Sequence, residues 1–484
     1  MHNISKTLSI GLLALAMAPG CKGKTGTTDP GKGGPGLAAN AKGAAGGKVT
    51  KEAKEDFAKA VAAYKKAKSD GKLSDGECES SAKAFLDVFK EHGKPMVAAY
   101  FNAGAVWDEC GKLDRAEKIY LDVTKADPSY DLAWNNLGVI YWKNGQDKKA
   151  LDTFRKGVDA NKLGARAARN NVAGLARNVF VKNLDAAAFA EAEGEIQRVL
   201  ALDSSNQAAY ENLARLYYDR GVLKDKSYLV LANLVVTQSN RVLKEEGRES
   251  AEINNITGLL LMQRDDQVNA LKAFKEAVRI NPDHPEANLN IAFISIRFRD
   301  YATAEKSLRI AMRNKEVTKD IEAHIALGVA LRGLKKYPES EKAYAAASKL
   351  DPRDPRPWYN LAVLNQMHLA TADGIDEEGT KKYFNIAKKH YGKFMELAGS
   401  KKDFQVAVLE AQDSIATIDE TFEFFKIQKE LEAKAKEMEA LQKKQEDAER
   451  KRLMDLEKRA MEAAAKAEAA AAGGGDAPPA GGAK

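Results

Sequence analysis

From Lys51 onward the chain reads as a succession of helical apolar stripes separated by short polar breaks. Phe57, Val61 and Tyr64 open the series on one helical face, and a second stripe covers roughly Glu77–His92 before Pro95 stops it. The stretch Val97–Lys162 then repeats itself at a fixed step. Tyr100 becomes Trp134, Gly104 becomes Gly138, Gly111 becomes Gly145, Ala116 becomes Ala150 and Tyr120 becomes Phe154. A period of about 34 residues with small and aromatic positions in fixed order predicts a helix–turn–helix repeat. Gly104 and Gly138 fall where the first helix of a pair must approach the second. Tyr120 and Phe154 fill the space between neighbours.

The pattern continues with variations. Ala167–Ser204 reads as a further unit with Gly174 in the small position and a longer inter-helix turn. Gln207 restarts the series with Tyr210, Leu213, Ala214, Tyr217 and Gly221. An insertion at Val222–Lys226 displaces its second helix, which runs to about Glu246. Gly258, Ala270, Phe274, Ala277 and Pro282 form a well-phased unit, and Ala292, Ala304, Leu308 and Ala311 repeat it. Gly328, Tyr344, Ala347 and Pro352 follow. Trp358, Leu361 and Ala362 start a last unit, whose insertion at Thr371–Thr380 precedes a helix near Lys381–Leu397. Residues 51–398 are thus expected to form one all-α solenoid of about eight to nine helix pairs.

Phe404, Val408, Ala411, Ile415, Ile418, Phe422 and Phe425 recur at steps of four and three. This stripe needs a partner, and the open face of the last repeat is the nearest. A long C-terminal helix over 399–472 is therefore expected to cap the solenoid to about residue 427 and to project beyond it. The projecting part is rich in Glu, Lys and Ala. Glu430–Lys434, Glu432–Lys436 and Glu439–Lys443 are spaced to support an isolated helix, which would reach about 65 Å. Leu431, Met438, Leu441, Leu453 and Leu456 make only a broken heptad, leaving a coiled coil and a lone charged helix as the two readings. Residues 473–484 are Gly/Pro/Ala-rich and expected to be disordered.

Residues 1–20 have the layout of an export signal. Lys6 gives a short positive region, and Leu8–Ala18 is an apolar run too short to span a bilayer as a mature helix. Residues 21–50 are expected to be a disordered tether spanning about 30 Å on average, since Lys22–Thr50 is Gly/Lys/Ala-rich with few large apolar side chains. The 76 basic and 69 acidic side chains nearly cancel, so no concentrated basic face argues for nucleic acid. Cys78 and Cys110 remain beyond Cys21, and the antiparallel run of successive helices puts both at one end of the stack. A disulfide between them and a pair of small buried thiols are both open readings.

Chemistry-bearing constellations are sparse. Residues 18–25 fit a loose phosphate-loop pattern but straddle the signal cleavage site instead of joining a strand to a helix. His92, His284, His324, His368 and His390 are scattered, without metal-ligand spacing. No nucleophile elbow or framed acid pair is found. The expectation is a non-enzymatic protein with no cofactor, metal or small-molecule substrate.

In its period and its small and aromatic positions, the repeat resembles the tetratricopeptide family. That resemblance implies a superhelix whose concave groove, lined by the first helix of each pair, holds a partner protein. Asparagines near the small position serve this purpose in such proteins. The residues placed in or near that register are Asn102, Asn136, Asn212, Asn290 and Asn360, with Trp142, Glu211, Arg215, Tyr218 and Arg332 expected in or near the groove. The cationic set that grips a C-terminal carboxylate in chaperone-binding relatives is not reproduced. Ala18-Pro19-Gly20-Cys21 resembles a bacterial lipobox, implying acylation of Cys21. Lys22 after it implies the periplasmic face of the outer membrane, by analogy with enterobacterial sorting. Cleavage after Ala18 would instead release a soluble periplasmic protein. The exported cysteine, long array and Lys/Glu/Ala-rich end resemble the tetratricopeptide lipoproteins of the myxobacterial adventurous gliding-motility apparatus. This implies a scaffold that binds envelope-machine proteins through its groove and C-terminal helix. The alternatives are a lipoprotein regulator of a peptidoglycan-synthesis enzyme and a pilus or outer-membrane assembly factor.

Overall fold

The computed structural model describes residues 48–472, and every regular element among them is helical. The expected export signal, Cys21, most of the tether and the C-terminal tail lie outside the described residues. The helices follow one another in pairs. α1 (Lys51–Ala67) precedes α2 (Asp75–His92), and α3 (Val97–Glu109) precedes α4 (Leu113–Ala126). Next come α5 (Asp131–Lys143) with α6 (Asp147–Ala160), and α7 (Arg166–Asn183) with α8 (Ala186–Leu202). The middle of the array is α9 (Gln207–Leu223) with α10 (Ser227–Glu245), then α11 (Ala251–Met262) with α12 (Gln267–Ile280). α13 (Pro285–Arg297), α14 (Tyr301–Ala311), α15 (Ile321–Gly333) and α16 (Tyr337–Leu350) complete eight pairs in the first of two compact units, which ends at Asn360.

Steric fit at one repeated position decides how close the helices of a pair come. A Cβ on Gly138 would lie 2.5 Å from the Phe154 ring, and one on Gly258 2.5 Å from Phe274. Gly104 faces Tyr120 and Gly328 faces Tyr344 in the same way. The spacing from glycine to aromatic along the chain is the same in all four pairs, and each of the four rings is fully buried. Where Leu308 replaces the flat ring, Ala292 replaces the glycine. At a fixed distance after each small position the chain reverses through a left-handed conformation. Gly111 and Gly145 adopt it at φ 71° and 74°, and Asp265, Arg299 and Lys335 adopt it with side chains present.

Two expected turns differ from the structure. Helix α7 continues to Asn183, so the turn before α8 is only Leu184–Asp185, where a longer one was expected. Gly174–Asn183 contains no proline or further glycine to stop a helix, and the extra residues lengthen α7. Likewise α9 absorbs Val222 and Leu223 of the expected insertion, leaving Lys224–Lys226 as the turn, and Gly221 packs against Leu229.

Cys78 in the first turn of α2 and Cys110 at the end of α3 are joined by a disulfide, with their Cα atoms 6.3 Å apart. Closing this loop removes unfolded-state entropy worth about 3–4 kcal/mol on the chain-entropy account.

The second unit begins at Leu361, within α17 (Arg356–Leu364). A π-helical turn, Asn365–Leu369, leads to α18 (Glu377–Ala398), capped by Asp376 onto the Gly379 amide at 2.7 Å. Helix α19 (Gln405–Ala472) then lies on α18 through the stripe read from the sequence. Phe422 meets Phe384 with ring centroids 6.0 Å apart, and Phe404 meets Phe394 edge-on at 6.2 Å. Ala411 and Ile418 are buried at the centre of this contact. From Lys426 to Ala472 every residue is exposed, so the charged part of α19 rests on nothing among the described residues.

Substituting Gly138→Leu should force α5 and α6 apart and destabilise the protein by about 2–3 kcal/mol. Adding Phe154→Ala to it should recover part of that loss, as read by thermal unfolding followed by circular dichroism.

Candidate interaction surface

Beyond α1, which keeps an exposed charged face, first helices such as α3, α5, α11 and α15 are apolar on most of their circumference, and such helices are stable only when enclosed. In α3 every residue from Val97 to Asp108 except Tyr100 is buried, and α5 is buried from Asn135 to Tyr141. First helices also pack on the next first helix, as α5 does on α7, α7 on α9, α9 on α11 and α13 on α15. No second helix packs on the next second helix to that extent among the described residues. First helices therefore line the inside of the curve.

This enclosure decides what the predicted groove residues do. Asn136 donates to the Tyr120 hydroxyl at 3.1 Å, and its own oxygen accepts from Asn135, which accepts from Asn171 at 2.8 Å. Asn212 donates to the Asn170 carbonyl at 3.2 Å, and Asn360 to the Arg356 carbonyl at 3.0 Å. Glu211 accepts from Ser250 Oγ at 2.6 Å and from Gln207 at 2.8 Å. Tyr218 is buried with Gln263 Nε2 at 3.4 Å from its hydroxyl, Asn102 is fully enclosed, and Trp142 is half-buried against the N-terminal core. Asn136, Glu211, Asn212 and Tyr218 thus bond from one repeat to another instead of lining an open surface, while Asn360 bonds back within its own helix.

Arg215 is the most deeply committed. The residue is 2% exposed, and its guanidinium meets two carboxylates from the next two first helices. Nε and Nη2 donate to Glu252 of α11 at 2.9 and 2.7 Å, and Nη1 donates to Glu286 of α13 at 3.1 Å. Asn255 donates to Glu286 at 2.7 Å. His284 Nδ1 accepts the Ala287 amide at 3.2 Å, capping α13, while Nε2 faces Glu252 at 3.1 Å. Burial raises the Glu252 pKa, but Arg215 and His284 outweigh it and hold the carboxyl well below the usual range. Glu252 and Glu286 were not singled out from the sequence, and His284 was noted there only as one of the scattered histidines. The signal available was two glutamates, one repeat length apart, that open successive first helices.

What remains open on the inner wall recurs in register. Asn254, Thr257 and Leu261 of α11, Asn290 and Phe293 of α13, and His324 and Leu327 of α15 are half-exposed. Asn290 and Phe293 precede His324 and Leu327 by one repeat length each. Asn290 Nδ2 and Arg332 Nη1, both expected in or near the groove, are instead buried atoms with no hydrogen-bond partner among the described residues. Elsewhere Asp56, Glu91 and His92 approach one another within 4.8 Å, but Lys59 and His92 already engage the Asp56 carboxylate at 2.9 and 3.1 Å.

Substituting Arg215→Leu leaves Glu252 and Glu286 buried without their cation, and should cost about 3–5 kcal/mol in thermal or denaturant unfolding. Because the Glu252 pKa is depressed on folding, its stabilisation is present above the unfolded value near 4.5 and fades as pH falls toward about 2. Acid unfolding over that window should be less steep in Glu252→Gln than in the parent.

Two segments, 109–165 and 294–355, match the tetratricopeptide repeat family. They cover the α4–α6 and α14–α16 regions. Similar solved structures include MamA from Desulfovibrio magneticus RS-1, 21% identical over 39% of this chain and 97% of that one, with a TM-score of 0.32. YrrB, described as a TPR protein with an unusual peptide-binding site, is 20% identical over 43% of this chain and 96% of its own, with a TM-score of 0.30. The pilF protein of Pseudomonas aeruginosa is 17% identical over 47% and 95%, with a TM-score of 0.35. The array is thus a solenoid of helix pairs that resembles tetratricopeptide repeats, with the family match confined to those two segments, and tetratricopeptide-repeat proteins are protein-interaction scaffolds.

Proposed function

We propose that this protein is a membrane-tethered scaffold of the bacterial envelope, holding an extended polypeptide along the inner wall between α11 and α15. The observation that carries this reading is the register of half-exposed residues on three successive first helices. Phe293 and Leu327 offer apolar contact between them.

The tether in this proposal is Cys21, acylated after removal of the preceding segment, at the periplasmic face of the outer membrane. It is supported by the apolar run and small residues that precede this cysteine. Among the described residues no helix is long and apolar enough to cross a membrane, so attachment would fall to the acyl chains. The exposed stretch from Lys426 to Ala472 gives the scaffold a second contact element, suited to a multi-protein trans-envelope machine such as a gliding-motility apparatus.

Phe293→Ala with Leu327→Ala should weaken capture of the co-purifying envelope protein about tenfold or more while leaving the thermal midpoint within a few degrees. Unchanged capture would reject the inner wall as the binding surface. Cys21→Ser should move the protein from the detergent phase to the aqueous phase on phase partition and abolish incorporation of labelled fatty acid. Retention in the detergent phase without label would reject acylation at this residue.

A further inference from the structure

Helix α10 breaks the surface pattern of the other second helices. From Ser227 to Asn240 it contains no charged residue. The outward faces of its counterparts carry charge, with Lys149 and Lys156 on α6, Lys272 and Lys275 on α12, and Glu341 and Lys342 on α16 all exposed. On α10 the inward side, Ala232, Val236, Ser239 and Leu243, is buried in the solenoid. The outward side instead exposes Val230 by 62% and Leu234 by 58%, with Leu231 beside them at 39%. Large apolar residues scattered singly on a surface are ordinary, but a clustered uncharged row of this kind marks a contact.

The geometry points to a second copy of this chain as the occupant, with α10 packed antiparallel on α10 across a two-fold axis. Val230, Leu234, Thr237 and Arg241 are spaced by four, three and four, the seam that lets one helix lie along another. The polar members of the face, Asn233, Thr237, Gln238 and Asn240, each carry both donor and acceptor, so the face is complementary to itself. A charged face of one sign pattern would need a different partner, and a two-fold contact places each residue against its own helix. Charge appears only at the ends of the seam, and there it also matches. With the axis near Leu234, Asp225 before the helix falls opposite Arg241 of the other copy. A 19-residue helix is about 28 Å long, and a contact of one such helix on another belongs to the small, weak class of interfaces. The dimer therefore forms with rising concentration and not at high dilution.

Sedimentation velocity of the purified full-length chain over a concentration series tests this. The expected result is a mass that rises toward twice that of one chain. Val230→Glu with Leu234→Glu should hold the mass at one chain while helicity and the thermal midpoint stay unchanged. Leu234→Cys, close to the axis, should form an intermolecular disulfide under mild oxidation. A parent protein of single-chain mass at every concentration would overturn the inference, leaving the face to the chain's own remaining residues or to another protein. A dimer undiminished by the double glutamate variant would overturn it too, and would move self-association to another surface such as the exposed part of α19.

Discussion

Everything in the first unit depends on how near a second helix can come to its first. That distance is set by the absence of a side chain at Gly104, Gly138, Gly258 and Gly328, each lying under a ring of the following helix. With the ring seated against bare backbone, two helices share a narrow interface and the apolar circumference of the first helix is enclosed from every side. Ala292 and Leu308 form the same joint, with a methyl added on one surface and a smaller side chain in place of the ring on the other.

Because first helices are enclosed by their neighbours, polar side chains on them have few routes to water. Some resolve this within their own helix, as Asn360 does with the Arg356 carbonyl, and others by reaching across two repeats, as Arg215 does to Glu252 and Glu286. A buried ion cluster of this kind is a poor source of net stability, since desolvation offsets much of the attraction. It does fix geometry. Three successive first helices must hold their relative positions for the guanidinium to satisfy both carboxylates. The half-exposed wall from α11 to α15 begins on one of the helices held in this way.

The repeat architecture was legible because its cause is local and periodic. Glycine, aromatic and turn positions recur at a fixed step, and the stripe from Phe404 to Phe425 lies against α18 as its spacing required. The lengths of α7 and α9 were not legible, because an inserted residue can extend a helix or a turn without altering the apolar stripe. The roles of single polar residues were hidden for a different reason. Arg215 and Asn212 stand in positions that read as groove-facing, yet whether a side chain meets water or a neighbouring repeat depends on how tightly consecutive pairs are wound. That winding is a sum over many contacts and leaves no mark at any one position. The disulfide joining Cys78 to Cys110 was open on the same ground, since thiols at one end of a stack bond only if the two helices meet there.

That bond also has a mechanical meaning. Each pair in an array of this kind rests on its neighbours alone, so a pull on the N-terminal side would peel helices off in sequence. Tension entering the chain there could draw out α1 and the turn after it, but at Cys78 it would pass through sulfur to Cys110. The segment between them, with most of α2 and nearly all of α3, would carry no load. Fraying under force would thus pause after the first helix, and resistance would resume at the joint where Gly104 meets Tyr120.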